Sequence, residues 1–203
     1  MKKLKVIIFT LASFPIFGQS YLGTNQKPAP DESSKTVAYN WKTLTQDNFS
    51  VGYPTNWELN TSGEDGTSLI LLSPITSKGE TFRANINLVI QDLENYDLEK
   101  NDINSQTITL KKVTESTLTK IKNYIKPRGG KIISSDLVNV GGISLQKVIY
   151  NFVGKDGLKL KSEEYILLQN NKTNYRLTFT CQEHKFTDYQ ATAEKILDSF
   201  KML

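Results

Sequence analysis

Between residues 81 and 91 the side chains alternate with a period of two. Phe82, Ala84, Ile86, Leu88 and Ile90 fall between Thr81, Arg83, Asn85, Asn87 and Gln91, and only Val89 breaks the rhythm. Helix faces repeat every 3.6 residues, so this period predicts a strand with one apolar face against a core. Further strands are expected at 49–53, 131–138, 143–153, 158–168 and 175–181. The run Leu69, Ile70, Leu71, Leu72 is apolar on both parities, which suits a strand covered on both sides. The segments between these strands are rich in turn formers: Tyr53-Pro54, Gly63 with Gly66, Gly141-Gly142, Lys155-Asp156-Gly157 and Asn170-Asn171. Strands joined by such short reversals pair antiparallel, because parallel neighbours need a long crossover.

Two stretches carry helical spacing instead. Across 109–125, Val113, Leu118, Ile121, Tyr124 and Ile125 form a stripe that Pro127 and Gly129-Gly130 bring to an end. Near the C-terminus, Phe186, Tyr189, Ala193, Ile196, Leu197 and Phe200 recur at three and four residues, with Asp188, Glu194, Lys195 and Lys201 outside the stripe. The expected class is α+β, with an antiparallel sheet of about six or seven strands.

The first twenty residues follow a different logic. Met1-Lys2-Lys3-Leu4-Lys5, the apolar run over 6–17 and Gly18-Gln19-Ser20 make the cationic, apolar and small-residue parts of a secretory signal peptide. The run falls short of the roughly 20 apolar residues that a membrane span needs. Cleavage is expected near Gly18 or Ser20, leaving a periplasmic or secreted chain without a transmembrane anchor. No cysteine stands at this exit, so a lipoprotein anchor is not expected. Residues 21–38, with Pro28, Pro30, Asp31, Glu32, Ser33 and Ser34, read as a flexible spacer because they cannot bury enough apolar surface to offset their ordering entropy. The folded domain is expected at 39–203.

Lys2, Lys3 and Lys5 carry three of the four net positive charges. The remainder of the chain is therefore nearly neutral, which does not support a nucleic-acid partner.

Three groups of residues look familiar in order. Phe49, Val51, Tyr53, Pro54 and Trp57 open the domain; Val140-Gly141-Gly142-Ile143 precedes a long strand. Tyr175-Arg176-Leu177-Thr178-Phe179-Thr180, followed by Phe186, Tyr189 and Ile196-Leu197-Asp198-Ser199-Phe200-Lys201, closes the domain. Together, over residues 41–203, they resemble the PsbP-like superfamily. The resemblance implies helices on both faces of the antiparallel sheet. It implies no single function, since the members bind quite different partners and a fold does not fix chemistry.

Candidate chemistry is sparse. Cys181 and His184 are the only cysteine and histidine, separated by Gln182 and Glu183. A nucleophile needs an activating neighbour and a zinc site at least three protein ligands, whereas strand parity aligns Cys181 with inward-pointing Tyr175, Leu177 and Phe179. A buried structural cysteine and an exposed histidine are expected. Asp92, Glu94, Asp97, Glu99 and Asp102 offer oxygen ligands but lack the spacing of a calcium loop, and read as a solvated connection. Gly129-Gly130 and Gly141-Gly142 read as turns rather than phosphate cradles. Lys111, Lys112, Lys120, Lys122, Lys126 and Arg128 make the first helix basic, either as a solvated face or as a surface that steers an anionic partner. Sequons at Asn48, Asn60 and Asn171 matter only in a eukaryotic secretory route.

No catalytic, cofactor-binding or metal-ligating residue is assigned, and no cofactor is expected. The chain reads as an exported non-catalytic binding or assembly module of the bacterial cell envelope, partnered by an envelope protein. The alternative is a carrier holding a small apolar ligand or lipid in an apolar cleft beneath the first helix.

Overall fold

The alternating segments become two antiparallel sheets. In the computed structural model, which describes residues 40–63, 66–76, 78, 80–93 and 109–203, a large sheet is built from β3 (Glu58–Asn60), β4 (Leu69–Leu72), β5 (Asn85–Asp92), β6 (Lys131–Val140), β7 (Ile143–Val153), β8 (Lys159–Gln169) and β9 (Thr173–Gln182). Its strand order is β3-β4-β5-β9-β8-β7-β6, every neighbour antiparallel. The three hairpins from β6 to β9 turn where the sequence places Gly141-Gly142, Gly157 and Asn170-Asn171, and all five residues adopt positive φ.

The expected single sheet is corrected to two among the described residues. The aromatic opening strand β2 (Phe49–Pro54) pairs with β1 (Trp41–Gln46) before it and with β10 (Lys201–Met202), not with the large sheet. The reason lies at the end of the last helix. α2 (Phe186–Asp198) stops two residues short of Phe200, and the chain then extends along β2. Ser199 makes this docking specific: its Oγ accepts from the Gly52 amide at 2.8 Å and donates to the Ile196 carbonyl at 2.6 Å. A second correction concerns the strand expected at 81–91. β5 begins at Asn85, and Phe82 joins a different apolar cluster from Ala84, Ile86 and Leu88.

The first helix, α1 (Leu110–Ile125), starts where Thr109 Oγ1 accepts the Lys112 amide at 3.3 Å. It ends in a 3-10 turn, Lys126–Arg128, before the chain doubles back into β6. A Cβ on Gly130 would collide with the Asn151 carbonyl and crowd Ile125 and Phe152, so only glycine fits between helix and sheet there.

Two apolar clusters follow from strand alternation. In β8, Tyr165 and Leu167 join Leu71 of β4, Ile86 of β5 and Phe179 of β9, together with Phe186, Ala193, Ile196 and Leu197 of α2. Leu160 and Ile166 of the same strand join Val148, Tyr150 and Phe152 of β7 together with Val113, Ile121 and Ile125 of α1. Phe200 ties the first cluster to the small sheet, its ring 5.8 Å from Phe49 and 5.7 Å from Tyr175.

Phe200→Ala is expected to destabilise the domain by about 3–5 kcal/mol, as deleting a buried phenylalanine does. Thr187→Ala, on the exposed side of α2, should stay within about 0.5 kcal/mol of the parent. Chemical denaturation of the two variants side by side checks both, and equal effects would mean that Phe200 does not join the two sheets.

Candidate functional site

The densest polar chemistry lies in the middle of the large sheet. Ser162-Glu163-Glu164 stands at the centre of β8, and the two carboxylates are 1% and 0% exposed. Consecutive residues of a strand point to opposite faces, so each carboxylate meets a separate environment. A buried charge without a partner costs several kcal/mol, so each requires its own cation.

The neighbouring strands supply them through register. Lys147 stands opposite Tyr165, one diagonal step from Glu163, and its Nζ lies 2.7 Å from Glu163 Oε1. Arg176 stands opposite Ile166, one diagonal step from Glu164, and its Nε donates to Glu164 Oε1 at 2.6 Å. Tyr150 donates its hydroxyl to Glu164 Oε2 at 3.2 Å. Burial, followed by the adjacent Glu164 carboxylate, holds the Tyr150 phenol well above its ordinary range.

On the Glu163 side, Lys147 also faces Glu194 of α2 at 3.9 Å and lies 5.6 Å from the Tyr165 ring centre. Burial, then Glu163 and Asp198, raise the Tyr165 phenol. Asp198 is raised by burial and by Glu194 one turn earlier, against the opposing pull of Lys147. On the Glu164 side, register aligns two polar rows: Asn87, Thr178 and Glu164, and beside them Asn85, Thr180 and Ser162. Ser162 and Thr180 share a 2.8 Å hydrogen bond. Oδ1 of Asn87 and Oδ1 of Asn174 are buried here with no hydrogen-bond partner among the described residues.

The charged groups hold one another in ion pairs. The residues singled out by sequence lie elsewhere. Cys181 is buried in the α2-side cluster, its thiol donates to the Gln182 carbonyl, and burial pushes it up to about 12, which leaves no thiolate at neutral pH. His184 is exposed in the 3-10 turn Glu183–Lys185, while Glu183 accepts from Asn151 Nδ2 at 3.0 Å, across the sheet. Among the described residues no three His, Cys, Asp or Glu side chains are grouped to hold a metal. Of the acidic stretch, Asp92 ends β5, and Glu94, Asp97, Glu99 and Asp102 lie outside the described residues, as do the leader and spacer at 1–38.

Lys111, Lys120, Lys122 and Lys126 are exposed, and Arg128 stacks 4.0 Å above the Tyr124 ring. Val148, Tyr150, Phe152, Leu160 and Ile166 fill the apolar cluster that α1 shares. No helix among the described residues is long and apolar enough to cross a membrane.

A third ion pair anchors the start of α2. Lys185 Nζ lies 2.6 Å from Glu80 Oε1, and Glu80 Oε2 accepts the Thr76 amide at 2.8 Å. Burial alone would raise the Glu80 carboxyl, but Lys185 and Thr76 outweigh it and the carboxyl titrates below its ordinary value. The hydrogen bond to Glu80 raises Lys185 in turn.

No family model matches the chain, and no curated protein does. Solved structures do. The chain is similar to the cyanobacterial PsbP protein CyanoP of Synechocystis, at 12% identity and a TM-score of 0.52, over 86% of this chain and 100% of that one. It is similar to LpqN, involved in cell envelope biogenesis of Mycobacterium tuberculosis, at 10% identity and 0.53, over 81% and 91%. It is also similar to PA94 of Pseudomonas aeruginosa, a protein of unknown function, at 11% identity and 0.50, over 78% and 94%. At these identities the likeness is one of fold, and the fold is PsbP-like.

Removing one member of a buried pair strands the other, so Glu164→Leu is expected to cost about 3–5 kcal/mol. The double variant Glu164→Leu with Arg176→Leu should cost less than the two single changes together; additive losses in denaturation experiments would count against coupling across β8 and β9.

The pH dependence follows from the third pair. Glu80, lowered in the fold, adds stability above the ordinary carboxyl value of 4.5 and loses it as pH falls through its lowered value. Lys185, raised in the fold, adds stability below 10.5 and loses it as pH rises through its raised value. Glu80→Gln should therefore lower the melting temperature at neutral pH, and the gap to the parent should close in acid. A gap that widened in acid would reverse the assignment.

Proposed function

We propose that this PsbP-like domain is exported and acts as a non-catalytic binding or assembly module of the bacterial cell envelope. The observation that carries the reading is the commitment of the buried charges: Glu163 to Lys147, Glu164 to Arg176 and Glu80 to Lys185. Catalysis uses groups whose proton affinity is set near working pH and whose reacting atom is open to substrate. Here the buried thiol stays protonated and the carboxylates are engaged in cross-strand and helix-anchoring pairs. Recognition then falls to the surface.

Export is supported by the leader pattern at residues 1–20. An envelope setting is supported by the fold shared with LpqN, whose own role is in envelope biogenesis. The reading also takes α1 and α2 to lie on opposite faces of the large sheet, a placement supported by the alternation of β8 side chains between the α1 and α2 clusters.

Fractionation of the native protein with N-terminal sequencing tests the export half. A mature N-terminus near Gln19 or Tyr21 in the periplasmic or extracellular fraction is expected; retention of Met1, or recovery entirely with integral membrane proteins, would overturn it. Crosslinking in intact cells tests the binding half, with an envelope protein expected as the recurrent adduct and exclusively cytosolic adducts as the adverse result.

A further inference from the structure

The two edges of the large sheet differ sharply. β3 closes one side with three residues, whereas β6 closes the other with ten and, among the described residues, pairs with β7 alone. Natural edge strands are blunted by charge, proline, bulges or brevity, because an open row of N–H and C=O groups invites another strand. β6 has a bulge between Ile132 and Ser134, and the Gly141-Gly142 turn ends it. Between these limits residues 134–140 form a regular ladder with Asp136 as the only charge and with no proline. At its centre Leu137 is 68% exposed, the most exposed large apolar side chain among the described residues.

We propose that this edge is a homodimer interface in which residues 134–140 pair antiparallel with the same segment of a second copy, about a two-fold axis at Leu137. The occupant follows from the segment's own pattern. Ser134, Asp136, Val138 and Val140 share the sheet face of Leu145 and Ile143, while Ser135, Leu137 and Asn139 share that of Val148 and Gln146. A two-fold axis at Leu137 sets Leu137 against Leu137, Ser135 against Asn139, Ser134 against Val140 and Asp136 against Val138. Every opposed pair keeps its face, and the apolar side chain left most open by the monomer covers its own copy.

Neighbouring registers are worse. An axis at Asp136 brings two carboxylates directly opposite, and an axis at Val138 sets Leu137 against Asn139. An axis between two residues opposes side chains of different faces. A seven-residue edge pair is a small interface, so the dimer is expected to be weak, in the micromolar range or above. The pairing goes beyond the envelope role and does not depend on it.

Cysteine crosslinking reads the register directly. In the proposed pair two Cβ atoms at position 137 lie about 5 Å apart, within disulfide reach, whereas two at position 139 are four residues out of step, about 13 Å. Cys181 is buried with a thiol at about 12, so the unsubstituted protein is the blank. Under mild oxidation Leu137→Cys should form a covalent dimer at least about tenfold faster than Asn139→Cys. Sedimentation velocity of the unsubstituted protein should show concentration-dependent dimer that Leu137→Lys abolishes, with an unchanged melting temperature. Equal crosslinking at the two positions, or a monomer at millimolar concentration, would overturn the proposal. A monomer that still gave envelope adducts in cells would leave the binding role standing and remove only the dimer.

Discussion

Two carboxylates buried side by side on one strand impose a condition that the rest of the large sheet has to meet. Glu163 and Glu164 point to opposite faces of β8, and each is neutralised from a different neighbour, Lys147 of β7 and Arg176 of β9. Slipping either neighbour by one residue would carry its cation to the wrong face and leave a charge buried and uncompensated. The ion pairs therefore act on register more than on net stability, because a buried pair returns little beyond the cost of drying its two charges.

A different solution holds the small sheet. β1, β2 and β10 are short, and a three-stranded ribbon needs a packed face to persist. Phe49 and Val51 provide it from β2, Phe200 provides it from the turn after α2, and Tyr175 receives the ring of Phe200 from the large sheet. Ser199 fixes the approach by accepting the Gly52 amide while donating its own proton to the Ile196 carbonyl, and the absence of a side chain at Gly52 lets it come so close. Aromatic packing and a single hydroxyl thus do for this sheet what paired charges do for the other.

Much of the large sheet was legible because it is built from local patterns: alternation in β5, a doubly apolar β4, and hairpins whose turns are marked by glycine or asparagine. The helix at Leu110–Ile125 was legible for the same reason, with its stripe and its Gly129-Gly130 stop. The small sheet was not, since Lys201–Met202 has no strand pattern of its own and acquires its state from β2. Phe82 was misassigned to the β5 face because parity has meaning only inside a strand, and the strand starts at Asn85. The charge pairs were missed although Glu163-Glu164 stood in plain sight inside an expected strand. The signal was present in the chemistry of the residues; the cations that answer them are set by pairing between strands, which no local pattern encodes.

The bond from Ser199 to Gly52 joins residues 147 positions apart, and the β2–β10 ladder beside it closes a loop of similar size. Contacts of such separation form late, because the entropy of closing the loop is lost before the contact contributes anything. Until α2 has docked, β2 has a partner on one side only and Phe49 lacks the ring that covers it. The order of assembly is therefore written into the topology: hairpins β6 to β9 first, then the closing helix, then the seam between the two sheets. The seam between the two sheets is therefore the pairing in this fold that costs most in loop closure.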